Sequence, residues 1–213
     1  SLSFDEGLRL IRLRGEAMAK AGSDRPGTMA AVLGLSADQI DDVLRTVGAP
    51  QDLAAANYNA PGQVVLSGTP EAVARGSEEA RRAGAKKVVP LQVSAAFHSP
   101  LMEGAARRLG EGIDRAPIGL AAFPVYANVT AGPVTEPDSI RRTLREQLLA
   151  PVRWEQTMRA MVEAGIRRFI EVGNGRVLRG LLRGVDKEAQ VFGTEDPDAL
   201  EAALAGLAEA AAR

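Results

Sequence analysis

The sequence predicts an α/β protein, in which a β-α-β-β-α-β unit is set into a longer run of helices and short apolar strands. Three observations carry that prediction. From Thr28 to Val93, strand-like runs and capped helices follow one another in that order, the split βαβ or ferredoxin-like arrangement. After His98, short apolar runs alternate with helical stretches, as in parallel sheets covered on both faces. Hydrophobic residues make up 46% of the 213-residue chain, enough to fill a real core.

Ser3 and Glu6 have the spacing of a capping box, and the helix behind them runs to about Gly22. SDRPG then breaks the chain. TMAAVLGL is a strand, and Ser36 caps a helix through Val47. LAAANYN and QVVLSG are strands around a turn at Ala60-Pro61-Gly62. Thr69-Pro70 opens a helix that ends at Gly84, and KKVVPLQV closes the unit. Ser99 is placed to cap, and Pro100 to begin, a helix reaching Ile113. FPVYANV follows as a strand. Asp138 can cap a helix through Leu149, which Pro151 interrupts. A helix from Trp154 to Ala164 ends at Gly165. RRFIEVG reads as a strand, VLRGLLRGV as a short helix and QVFGT as a strand, and Pro197 starts an alanine-rich helix. Three strands after His98 are few for a sheet covered on both faces. The resulting organisation is a large part made of residues 1–27 and 94–213 and a small part made of residues 28–93.

The composition excludes several functions. A net charge of −1 gives no overall pull toward nucleic acid or membrane. With no cysteine, the chain has no disulfide, thiolate or cysteine-ligated metal chemistry, and one histidine makes a transition-metal site improbable on composition. No apolar run approaches the roughly 20 residues of a membrane span, and SLSFDEG lacks a signal-peptide pattern. These features read as a cytoplasmic protein.

The lone histidine, His98, lies in VSAAFHSPLM. Imidazole is the usual base for acyl transfer near neutral pH, and a loop ahead of a helix can turn it toward a cleft. A second signal lies on the first helix. At 100° per residue, Leu8, Leu10, Ile11, Gly15 and Met18 share one arc, opposite Arg9, Arg12, Glu16 and Lys20. Arg14 falls inside the apolar arc, between Leu10 and Met18. A guanidinium stays charged, so its burial calls for an anion, either a structural salt bridge or a substrate carboxylate held by the planar fork. Asn57-Tyr58-Asn59-Ala60-Pro61-Gly62-Gln63 reads as turn chemistry. Glu171-Val172-Gly173-Asn174-Gly175 ends a strand, either as a plain strand-to-helix turn or as a loop whose backbone meets a ligand. From Arg141 to Lys187 there are eleven Lys/Arg and five Asp/Glu, which suits an acidic protein partner or the phosphates of a nucleotide-bearing thioester.

Taken in order, RLRGEAM, NYNAPGQVVLSG, SAAFHSPLM, EQLLAPVRW and EVGNGRVL resemble the malonyl-CoA:acyl carrier protein transacylases and the acyltransferase domains of fatty acid and polyketide synthases. The resemblance spans essentially the whole chain. It implies an α/β-hydrolase-like large subdomain with the ferredoxin-like small subdomain inserted. It implies ping-pong transfer of a malonyl group from malonyl-CoA to acyl carrier protein through a serine ester, in fatty acid biosynthesis, with no cofactor. By the same resemblance His98 is the general base, and Gln147 holds the imidazole's other nitrogen. Arg14 pairs with the malonyl carboxylate, and Met18 and Val177 line the acyl pocket. Phe97 stands where malonyl-selective members carry Phe and methylmalonyl-selective members a smaller residue. A ring there would fill the volume of an α-methyl group, which is worth about 1–3 kcal/mol of discrimination.

One departure is large. The family's nucleophile sits in a GxSxG elbow, and these residues contain no GxSxG. The glutamine-bearing loop of the oxyanion hole is missing too. The expectation is therefore the C-terminal part of such an enzyme, inactive alone, with an incomplete large subdomain. It would be monomeric or joined to a separate chain carrying the nucleophile. The alternatives are a non-catalytic fragment that binds acyl carrier protein or acyl-CoA, and an acyltransferase of a polyketide pathway. A smaller departure is Asn174, where many relatives have Pro.

Overall fold

The computed structural model describes residues 2–211, so residues 1, 212 and 213 of the expected large part lie outside the described residues. Helix α1 (Phe4–Asp24) leads into strand β1 (Thr28–Leu33), α2 (Ala37–Val47), β2 (Leu53–Ala60), β3 (Gln63–Gly68), α3 (Pro70–Arg82) and β4 (Lys87–Leu91). A one-turn 3-10 segment, Pro100–Met102, precedes α4 (Glu103–Arg115), β5 (Val125–Ala127), β6 (Gly132–Val134), α5 (Pro137–Glu146) and α6 (Trp154–Glu163). Then come β7 (Arg168–Glu171), α7 (Val177–Val185), β8 (Gln190–Gly193) and α8 (Pro197–Ala211). The chain divides into two compact units, residues 1–157 and 158–213. No helix of the described residues is long and apolar enough to cross a membrane.

In the first unit, β1 to β4 form one antiparallel sheet in the order β2-β3-β1-β4, so each β-α-β crossover spans one strand. The local chemistry is plain. Ser36 and Gln39 cap α2 reciprocally, and Gly48 ends it in the left-handed conformation. Thr69 caps α3 and Pro70 occupies its first position. Ala30, Val32, Val64 and Leu66 pack with Ile40, Val43 and Val73 into one core. Residues 28–93 thus have a core of their own, although the division of the chain falls at Thr157.

A second core joins α1, α4 and α5 through Ala17, Ala21, Leu109, Ile113 and Ile140, with Met102 and Leu148 packed among them. Here the structure corrects the helical arc. The buried side of α1 is centred on Ala17 and Ala21 with Leu10 and Leu13 beside them, and Leu8 and Ile11 are 54% and 68% exposed. Small residues set this rotation. A Cβ on Gly112 of α4 would strike Leu13 and crowd Leu10, so the bare glycine lets the two helices close. Ser3 caps α1, but the reciprocal half of the expected box is missing, because the Glu6 side chain pairs with Arg9.

Three further expectations change. FPVYANV yields only β5, which pairs antiparallel with β6 as a hairpin and not with a parallel sheet. In the second unit β7 and β8 pair in parallel, the two-stranded remainder of that expectation. Asp138 does not cap α5. Pro137 takes the first helical position, which makes Glu136 the cap residue and moves Asp138 into the first turn.

Candidate active site

His98 lies in the turn between β4 and Pro100, and its backbone is left-handed at φ 55°, a region few non-glycine residues occupy. Its ring Nδ1 is 3.0 Å from the Gln147 carbonyl oxygen and 3.1 Å from the Ala150 carbonyl oxygen. Carbonyl oxygens only accept, which assigns the proton to Nδ1 and leaves the lone pair of the neutral ring on Nε2. Burial lowers the pKa of His98 below the ordinary 6.5. The two carbonyl bonds oppose that shift, and the positive charge of Arg14 adds to it. Near neutral pH the ring is therefore an uncharged base with one defined tautomer.

The two carbonyls belong to a strap that leaves α5 at Gln147 and runs to Val152. Tyr58 N–H donates to Val152 O at 2.9 Å, and Val152 N–H donates to Ala56 O at 2.8 Å, so the strap lies as a bridge on the edge of β2. The register of β2 against β3 shifts between Ala55 and Asn57, which leaves Ala56, whose carbonyl meets the strap, out of the β2–β3 pairing. Pro151 restricts Ala150 to extended backbone. The Gln147 side chain makes no hydrogen bond to the ring; its Nε2 donates to Ala150 O at 3.4 Å. Ala150 is a ring partner that no residue-type signal marks, since it acts through its main chain. Only the neighbouring proline hints at a fixed carbonyl there.

Arg14 is half-buried on α1, and its charge reaches His98. Among the described residues it stands in no ion pair and no hydrogen bond, so the structural salt bridge considered for it is not made. Met18 packs partly against the α1–α4 core, and Phe97 packs against both that core and the cluster of Met29, Ala56 and Val65. Val177 belongs to the second unit, where it opens α7 and is 70% exposed. Beside Gln147 lies a cavity of about 360 Å³, lined chiefly by Val125, Val134, Ile140 and Leu144.

The remaining sequence signals resolve into structure. Gly62, at φ 74°, turns the β2–β3 hairpin and accepts from Gly34 N–H. The EVGNG segment is a strand-to-helix turn. The Glu171 carboxylate accepts from Leu178 N–H at 3.0 Å and Arg179 N–H at 2.9 Å, filling the α7 terminus that a phosphate would need. Several arginines of the basic stretch are engaged internally: Arg141 with the Ile113 and Ala116 carbonyls at the end of α4, Arg145 with Asp114, and Arg176 and Arg179 with Glu195.

Known proteins resemble this chain in sequence and in fold. The curated malonyl CoA-acyl carrier protein transacylase of Bacillus subtilis (strain 168) is 40% identical over 210 residues, covering 98% of this chain and 66% of its own. The solved malonyl CoA-acyl carrier protein transacylase of Clostridium perfringens superimposes with a TM-score of 0.93 at 31% identity, over 100% of this chain and 67% of that one. A solved complex of a holo type II PKS acyl-carrier protein with its malonyl-transacylase matches with a TM-score of 0.91 at 35% identity, over 96% of this chain and 66% of that one. The chain thus spans about two thirds of the length of these relatives and shares their mixed α/β fold. With the acyl transferase domain pattern matching residues 1–210, the chain belongs to the acyl transferase domain family.

Proposed function

We propose that this chain supplies the base and the carboxylate clamp for transfer of a malonyl group from malonyl-CoA to the phosphopantetheine thiol of an acyl carrier protein. The observation that carries the reading is the pairing of a neutral His98, fixed by two carbonyls, with a half-buried Arg14 that has no anionic partner among the described residues. His98 Nε2 takes the proton of a serine hydroxyl, and the oxygen attacks the malonyl thioester carbon. The C–O bond forms, the C–S bond breaks, and the CoA thiolate leaves with the proton from the imidazolium. In the second half His98 deprotonates the carrier's thiol, the sulfur displaces the serine oxygen, and the imidazolium returns the proton to it. Arg14 holds the free carboxylate throughout, bidentately, as an anion that arrives with the substrate.

These residues contain no GxSxG, so the reading places the serine outside them. It also takes residues 28–93 as a ferredoxin-like subdomain inserted in an α/β-hydrolase-like one, and Phe97 and Met18 as lining of the acyl pocket. The setting it assigns is the cytoplasm, and the pathway fatty acid synthesis. The polyketide pathway is the second reading, favoured by the likeness to a type II PKS malonyl-transacylase. The test is acyl-enzyme formation by the protein of the full reading frame. Intact mass after brief exposure to malonyl-CoA should show one malonyl adduct, which His98→Ala abolishes at neutral pH without unfolding. Rapid acylation retained in His98→Ala removes the base role. If the full-frame protein gains no adduct at all, the chain binds acyl carrier protein or acyl-CoA without turnover.

A further inference from the structure

We propose that Ser99 is a positioning residue for His98: its buried hydroxyl closes the tight turn that keeps the His98 backbone left-handed and the imidazole on the Gln147 and Ala150 carbonyls. The proposal rests on reading His98 as the base. Ser99 is 0% exposed. Its Oγ donates to the Ala96 carbonyl oxygen at 2.7 Å and accepts from Leu101 N–H at 3.3 Å. The first bond spans Phe97 and His98; the second ties that loop to the 3-10 turn behind it. Met102 N–H donates to the Ser99 carbonyl oxygen at 3.0 Å, which fixes the main chain of the serine as well.

A non-glycine residue stays at φ 55° only where its surroundings over-determine it. The walls of this loop do so. Ala95 and Ala96 are buried. A Cβ on Gly22 would lie 2.8 Å from the Ala95 Cβ, and one on Gly27 would lie 2.5 Å from the Ala96 Cβ and 2.8 Å from its nitrogen. The end of α1 and the entry to β1 therefore press on the loop from one side, and Ser99 ties it down from the other. Without the hydroxyl the buried Ala96 carbonyl loses this partner, and the main chain at His98 can relax toward ordinary φ. The imidazole then leaves its two carbonyls, and with them the tautomer that exposes the Nε2 lone pair.

The single histidine makes the test direct, because ring-nitrogen NMR signals of histidine-labelled chain belong to His98 alone. The wild-type chain should show one Nδ1–H tautomer when neutral and a titration midpoint below the ordinary imidazole value. Ser99→Ala should lower the ratio of Nδ1–H to Nε2–H about fivefold, the worth of one ordinary hydrogen bond, and move the midpoint back up. Ser99→Cys, of similar shape with a weaker donor, should fall between the two and keeps the test alive where Ser99→Ala fails to fold. Wild-type tautomer and midpoint in a folded Ser99→Ala or Ser99→Cys overturn the proposal, as does a wild-type chain with mixed tautomers. None of these readouts needs turnover, so the outcome is separate from that of the acylation experiment on His98→Ala.

Discussion

His98 Nδ1 lies 3.0 Å from the main-chain carbonyl oxygen of Gln147, while the Gln147 side-chain amide donates to Ala150 O, the ring's second acceptor. In a serine-histidine-aspartate triad the orienting group is a carboxylate side chain. Here it is peptide backbone, and a carbonyl carries no full charge to stabilise an imidazolium. Gln147→Ala should therefore leave the His98 tautomer unchanged and lower acyl transfer by no more than about tenfold, since it removes one long side-chain hydrogen bond. Kinetics of the full-frame enzyme together with ring-nitrogen NMR check this. A loss comparable to that of His98→Ala would show that the amide, not the carbonyl, is the working group.

The pKa of His98 also sets a stability profile. Its folded value is lowered, chiefly by burial, below an unfolded value of about 6.5. Between the two values the unfolded chain binds more protons than the folded one, so stability rises with pH there. The contribution is fully present above about 6.5 and is lost as pH falls through 6.5 toward the folded pKa. Asp114, held down by its hydrogen bond from Arg145, and Glu195, held down first by its own backbone N–H and then by Arg179, lose their contribution only further down, as pH falls through the carboxylate range. Urea unfolding of wild type and His98→Gln across mildly acidic pH should show a slope in the wild type that the variant lacks. Equal slopes would mean that the ring is not desolvated in the folded chain.

What the sequence made legible was local. The ends of α2 and α3 follow from Ser36 with Gln39 and from Thr69 with Pro70, because caps act within one turn of the residues that encode them. The β2–β3 hairpin follows from Gly62 for the same reason. Where two local signals compete, the weaker loses: Pro137 displaces Asp138 from the cap, and Arg9 draws Glu6 away from it. Strand pairing is non-local, so nothing in FPVYANV announces a partner as short as Gly132–Val134. At the site, His98 and Arg14 stood out as side chains in unexpected company. Ala150 did not, because a carbonyl looks the same at every position.

The Arg14 charge reaches His98 as well as the substrate carboxylate proposed for it. That charge lowers the His98 pKa, so Arg14→Ala should raise it, and so should a carboxylate bound to Arg14. Titrating malonate into the chain should then move the His98 midpoint upward in wild type and not in Arg14→Ala. In the full-frame enzyme the same variant should lose about ten- to a hundredfold in malonyl transfer, the worth of a charged hydrogen-bonded pair, while acetyl transfer is spared or improved. Equal loss on both acyl groups would refute the clamp.

Phe97 carries two loads that one substitution can separate. Its ring packs partly against the α1–α4 core and partly against the cluster of Met29, Ala56 and Val65, directly before His98. Phe97→Ser should therefore destabilise the chain by about 2–4 kcal/mol, less than truncation of a wholly buried ring with its full cavity term. It should also open the volume that an α-methyl group needs, shifting the preference for malonyl over methylmalonyl by about tenfold or more. Competition between the two CoA thioesters on the full-frame enzyme reads the second effect, and thermal unfolding the first. Lowered stability with unchanged preference would leave Phe97 a packing residue only. A changed preference at full stability would mean that the ring faces the substrate and adds little to the cores it touches.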